Sequence, residues 1–431
     1  MFSNIFGIEL DGKSIKVAAF SLYLALLDNL DPKTGWWNGT IKFPYLINDL
    51  EDVSLKEQGY NLFRRDTISD LSEFKQLQNF DLIVGNPPFG TKNLLPTITA
   101  YCKKENFAQE MVLPFLHKAT LLAPKGKIAL IFNTKVLTNT GGTYQNFRRW
   151  LFNENNVDKI YNFSILRKAP KFSGGQLFGS AVGPISIVFY QNEIPDNPKE
   201  TITYYAPKTY IKNDVLEGIV IDSSDEKHLP RLECQKQDTK IWKIAMWGSY
   251  FDFELIEKLF KAKSLKSDLK KNNIKNGVGF QLLTNKKDKI VENQFISENQ
   301  YLDADYIERF TSNILNLKGI NASIKTKKAK LFYDILINDN QFQSISFFRR
   351  LGDLEAYFAP HLLLKKGLSN NQICASYLDE VCTFRDGVYG FYSLDKNEKY
   401  LKALTTLLNS KISSYLLFLT ISSYGIEREQ I

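Results

Sequence analysis

Rhythm limits the fold of this chain more than any other feature. Between residues 4 and 191, apolar runs of strand length alternate with segments of helical period. NIFGI, residues 4–8, is a short apolar strand running into Glu9-Leu10-Asp11. SIKVAAFSLYLALLDNL, residues 14–30, repeats its apolar positions in steps of three and four and predicts a helix. Residues 32–60 are polar, contain Gly and Pro, and read as a loop insertion. NLFRRD, residues 61–66, predicts a strand with Asp66 at its end, and ISDLSEFKQL after it predicts a helix. FDLIVGNPPFG, residues 80–90, is a core strand that stops abruptly at Gly85. The polar stretch 90–104 reads as a loop and residues 107–123 as a helix. KIALIFN, residues 127–133, is another buried strand; TYQNFRRWLFNEN is helical, VDKIYNF a strand, and GPISIVFYQ, residues 183–191, a last strand. Such alternation argues for an α/β layer with a largely parallel sheet. Ligands of such sheets sit at the carboxyl ends of the strands, where Glu9, Asp66 and Asn86 all fall.

At 431 residues the chain is too long for one ordinary core. The alternation fades after QNEIPDNPKE, a polar, proline-bearing boundary. The expected division is 1–206, a linker 207–240, and a second domain 241–431. In that second domain lysines crowd between residues 261 and 330, short strands follow, and residues 398–420 read as one helix. A net charge of +8 fits a polyanionic partner without requiring one. Four scattered cysteines, with no CxxC spacing, argue against a disulfide framework or a cysteine-rich zinc site. His117, His228 and His361 lie far apart and suggest no metal pair; each reads as a packing or surface histidine. No signal peptide opens the chain, and no apolar run reaches the roughly 18 to 20 residues of a membrane helix. These features predict a protein of the (prokaryotic) cytoplasm with no membrane partner.

The strand ending at Gly85 turns on Asn86, Pro87, Pro88 and Phe89. Asn-Pro and Pro-Pro are ordinary turn formers. Here they follow a buried strand directly, and two upstream strands end in carboxylates. Taken together, these residues resemble the S-adenosylmethionine-dependent amino-methyltransferases, chiefly the N6-adenine DNA methyltransferases of large restriction-modification enzymes. Asn86, Pro87, Pro88 and Phe89 resemble the catalytic tetrapeptide of that family. Glu9 resembles its ribose-binding acid, and Asp66 the acid near the adenine edge of the cofactor. LFGSAVGPISIVFYQ resembles a later motif whose aromatic residue packs on the target base, with Phe178 the best match and Phe172 its rival. Residues 242–431 resemble the target-recognition region of the same enzymes. The resemblance implies a Rossmann-like sheet followed by a mixed α+β target-recognition domain. It also implies S-adenosylmethionine as cofactor, double-stranded DNA as partner, and methyl transfer to a flipped adenine in restriction-modification or phage defence.

The family pattern is broken in one place. Its glycine-rich cofactor turn, which follows the first strand, has no counterpart, and Met1 stands on what would be the second strand. The sheet is therefore expected to be incomplete at its N-terminal side, the second domain to stop short at its C-terminal end, and a partner chain to carry the missing strand and glycine turn. Two further readings follow. The chain is a DNA-binding remnant or split-enzyme subunit, or its substrate is another amino group, such as guanine N2 in RNA or a protein glutamine. The lysine-rich second domain favours DNA.

Overall fold

The computed structural model describes residues 4–29, 43–164, 184–197, 200–212, 214–215, 217–284, 288–327, 329–330, 333, 345–368 and 372–420. The chain divides into two units, Met1–Trp242 and Lys243–Ile431.

The first unit holds two sheets. The smaller one is parallel, in the order β1 (Gly7–Glu9), β3 (Leu62–Arg64), β2 (Ile47–Asn48). Strand β2 falls inside the stretch expected to be a loop. Helix α1 (Gly12–Asp28) starts where Asp11 accepts the Ser14 N–H at 2.9 Å, and it buries Ile15 and Ala19 against Leu46 and Leu62.

The larger sheet has six strands in the order β11 (Glu226–Pro230), β8 (Thr201–Tyr205), β6 (Asn156–Asn162), β7 (Ile185–Gln191), β5 (Lys127–Asn133), β4 (Leu82–Gly85). It is mixed and not largely parallel. β7 runs antiparallel to both β5 and β6, and β11 antiparallel to β8. An apolar run has the same composition in either direction; direction depends on the neighbour beside which a strand inserts. GPISIVFYQ is not the last strand, because β8 and β11 follow it. Alternate residues of β5, such as Ile128, Leu130 and Phe132, are fully buried, as are Leu113, Leu116 and Ala119 of α3 (Val112–Leu122) and Phe147 and Leu151 of α4 (Gly142–Asn153). Gly126 closes the turn into β5. A Cβ there would stand 2.0 Å from the Phe80 carbonyl oxygen, so only glycine lets this turn press against the entry to β4.

Residues 207–240 are built into this unit. A hairpin of β9 (Thr209–Lys212) and β10 (Glu217–Val220) precedes β11. Buried Arg231 then donates to the carbonyls of Phe152, Asn155 and Val157. The Trp242 ring stacks on Phe152 at 5.6 Å.

Two local expectations also change. ISDLSEFKQL is a chain of turns with one 3-10 turn at Lys75–Leu77. Asp66 and Asp70 accept the N–H groups of Ile68 and Ser72, and these side-chain bonds compete with helix formation. The stretch 90–104 contains helix α2 (Pro96–Lys104), with Pro96 in its first turn where no N–H is needed.

The second unit is α+β. Its five-stranded sheet runs β12 (Ile274–Val278), β18 (Val388–Ser393), β16 (His361–Lys365), β17 (Ala375–Leu378), β14 (Phe310–Thr311); between β12 and β16 in sequence lies the two-stranded pair β13 (Val291–Glu292) and β15 (Phe347–Phe348). Leu363 faces a core with Phe280, Tyr357 and Phe384. Leu362 and Leu364 face the other core, with Leu401, Leu404 and Leu408. The expected single helix 398–420 is two helices, Glu398–Leu408 and Lys411–Thr420. Among the described residues no helix is long and apolar enough to cross a membrane.

Candidate active site

Among the described residues strand β4 pairs only with β5, and β1 only with β3, so each forms an edge of its sheet. Phe6, just before β1, meets Phe80, just before β4, with ring centroids 5.7 Å apart. On the outgoing side, Asp66 Oδ2 accepts the Thr97 hydroxyl at 2.7 Å, joining the exit of β3 to the first turn of α2. Ile68 packs with Ile98 and Cys102 beneath that bond. The two sheets thus lie side by side with their strand exits on one side.

Asn86 and Pro88 are exposed, Pro87 is buried and Phe89 is half-buried. The Asn86 side chain makes no hydrogen bond with the described residues, and neither does the Pro87 carbonyl. Both acceptors remain available. The proline ring sets φ and hence the direction of that carbonyl. Beyond Phe89, the Gly90 N–H donates to Glu110 Oε1 at 2.8 Å, and its carbonyl accepts the Met111 N–H at 2.9 Å.

Glu9 is exposed at the end of β1, where its Oε1 accepts the Asp11 N–H at 2.9 Å. Its carbonyl accepts the Arg65 N–H at 3.1 Å, which brings it next to the half-buried Asp66. Asp66 is more committed than Glu9. Its Oδ1 accepts the Ile68 N–H while Oδ2 holds Thr97, so it caps a turn and not a helix. The structure therefore sets Glu9 next to Asp66 and ties Asp66, through Thr97, to the helix that follows the corner 86–89. Phe178 and Phe172 lie outside the described residues. Thr97 and Glu110 escape a sequence reading, since neither sits in a motif or at a strand end.

Behind α2 the Tyr101 hydroxyl meets His117 Nδ1 at 2.7 Å, and the imidazole lies 4.7 Å from the Trp150 ring. Burial pushes the His117 pKa down, so it packs α2 on α3 as a neutral ring. Among the described residues no three His, Cys, Asp or Glu side chains gather as a metal site, and all four cysteines are buried thiols.

No curated protein matches the chain. Among solved structures it is similar to the type IIG restriction endonuclease BpuSI, at 12% identity and a TM-score of 0.36, over 86% of this chain and 47% of that one. It is also similar to the type IIL restriction-modification enzyme MmeI in complex with DNA, at 14% identity and a TM-score of 0.42, over 84% and 46%. A modification subunit of a putative type I restriction enzyme from Vibrio vulnificus YJ016 is similar over 36% of this chain and 33% of its own, at 17% identity and a TM-score of 0.28. The chain spans about half the length, or less, of these proteins. Residues 3–167 match the model of the Eco57I restriction-modification methylase family, a stretch that takes in Glu9, Asp66, the corner 86–89 and every strand from β1 to β6.

Proposed function

We propose that this chain carries the amine-binding corner of a site-specific adenine-N6 DNA methyltransferase of restriction-modification or phage-defence type. One observation carries the reading: two unengaged acceptors, the Asn86 side chain and the Pro87 carbonyl, stand at the open end of β4 within the family-matched segment. An exocyclic adenine amine is a weak nucleophile because its lone pair is delocalised into the ring. Two fixed acceptors drawing on its two hydrogens favour a pyramidal nitrogen and localise that pair. No strong base is needed beside it. The amine reaches such a corner only if the base leaves the duplex. Phe89, half-buried with no aromatic ring against it among the described residues, offers a face for stacking. Such stacking is worth about 1–3 kcal/mol per base, comparable with the cost of unstacking. Phe178 is proposed as a second contact to the base.

S-adenosylmethionine, when bound, supplies an electrophilic methyl carbon. The residues present fit part of it. Glu9 offers an exposed carboxylate for a ribose diol, Asp66 lies next to it, and Asn86 is exposed at the exit of β4. A glycine-rich turn has no counterpart in the sequence. Among the described residues β1 and β4 each pair on one side only, and Phe6 and Phe80 just before them are in ring contact, which supports a partner segment that adds a strand beside them and brings that turn. Exposed lysines 261, 263, 266, 270, 271 and 275 of the second unit, none ion-paired among the described residues, suit DNA phosphates.

The test is transfer of labelled methyl from S-adenosylmethionine to unmethylated duplex DNA, with and without an added segment supplying a strand and glycine turn. We expect label in N6-methyladenine, and Asn86→Ala to lower the rate about a hundredfold or more with DNA affinity retained. Label appearing in RNA or protein instead, or undiminished transfer by Asn86→Ala, rules the reading out.

A further inference from the structure

Glu110 is only 2% exposed, and a carboxylate so far from water is tolerated only with partners. Its Oε1 accepts the Gly90 N–H at 2.8 Å, and its Oε2 accepts the Tyr144 hydroxyl at 3.0 Å. Lys135 Nζ lies 3.9 Å from Oε2 and 5.8 Å from the centre of the Tyr144 ring. The next residue, Met111, donates its N–H to the Gly90 carbonyl at 2.9 Å. Both backbone groups of Gly90 are therefore gripped by two consecutive residues of one turn. Gly90 has φ +142°, a conformation suited to glycine. A Cβ at this position would meet nothing within 4 Å, so the two backbone bonds and not close packing hold the residue.

The corner is stiff on one side only. The rings of Pro87 and Pro88 limit its entry, but Phe89 and Gly90 have no such restraint. We infer that Glu110 is a positioning residue that fixes the exit of the corner through Gly90 and so holds Phe89 and the two acceptors in register. This rests on the reading of residues 86–89 as the amine-binding corner. The grip is strong for its size. A backbone N–H bonded to a buried carboxylate is a charge-assisted bond, and one partner's removal strands the other. Tyr144 and Lys135 hold the carboxylate from its other oxygen, so its position is set by α4 and the residues just after β5.

Three variants of the full chain test this. Glu110→Ala removes the acceptor, Glu110→Gln keeps a carbonyl oxygen for Gly90 without the charge, and Tyr144→Phe removes the opposite partner. Hydrogen exchange of a peptide covering 86–93 is expected to rise about tenfold in Glu110→Ala, to recover largely in Glu110→Gln, and to rise by a smaller factor in Tyr144→Phe, where Oε1 still accepts the Gly90 N–H. Exchange in α3 and β5 is expected to be unchanged. In the methyl-transfer assay, Glu110→Ala should lose about a hundredfold in kcat with little change in the KM for DNA. Wild-type exchange at 86–93 in Glu110→Ala overturns the inference, as does an equal rise across α3 and β5, which would mark general loosening. A wild-type chain that stays inactive even with the added strand-bearing segment sinks the methyltransferase reading alone, because exchange still decides the role of Glu110.

Discussion

Single residues decide features of this fold that no pattern announces. Asn409 is one. Its amide accepts the Ala375 N–H at 3.0 Å and donates to the Ala375 carbonyl at 2.7 Å, pairing the backbone of β17 as a strand would. The helix breaks there in two. His361 is another. A carbonyl only accepts, so Nδ1 carries the proton shared with Ala356 O at 2.8 Å, and Nε2 faces the Cys382 thiol at 3.6 Å. Burial pushes the thiol up to about 12 and the imidazole down to about 4 from its ordinary 6.5. The sign follows from linkage. Above pH 6.5 the ring is neutral whether folded or not; between 6.5 and 4 the unfolded chain takes a proton that the folded one refuses. Stability is therefore full above 6.5 and falls as pH drops toward 4, by about 3 kcal/mol at most. Urea unfolding across that range should show His361→Gln losing about one proton's worth of slope. An unchanged slope would mean that the ring titrates normally.

Among the elements, β4 is the most exposed to challenge. Leu82 is 59% exposed and Val84 68%, on a strand with a neighbour on one side only. Together with Ala129 and Phe189 they line an open hollow on the sheet. Helix α1 likewise exposes Val17, Phe20 and Leu24, three positions on one face. Apolar side chains on an open strand edge invite another strand. Val84→Lys tests whether that face is free in this chain. We expect a change in unfolding free energy within about 0.5 kcal/mol, as for other surface positions, together with failure to capture an added strand-bearing segment. A drop of several kcal/mol would show that Val84 is already covered in solution. The resemblance carries the expectation of an open edge here, completed by a strand from a partner chain. It does not anticipate the antiparallel insertion of β7, nor the turn chain at 66–77, where aspartates outcompete a helical period.

Over the whole molecule, charge is the property that reaches beyond any element. The net charge of +8 is joined by exposed lysines between residues 261 and 275 of the second unit, none ion-paired among the described residues. Replacing Lys266, Lys270 and Lys271 by glutamine should flatten the dependence of log Kd for duplex DNA on log salt by about 0.9 for each phosphate no longer neutralised. Anisotropy titrations at several salt concentrations would measure it; an identical slope would leave those lysines as a solvated face. Much of the candidate site was legible without coordinates. β5 follows its apolar run to the residue, and Glu9, Asp66 and Asn86 stand at strand exits as expected. Those features depend on neighbours in the chain: a period of side chains, a proline that presets φ, a glycine that tolerates a tight turn. Tertiary structure alone decided strand direction, the absorption of residues 207–240 into the first unit, and the partners of Glu110, Asn409 and His361. Each of these depends on what lies across a gap in the chain, and a buried polar atom is satisfied only by what folding brings to it.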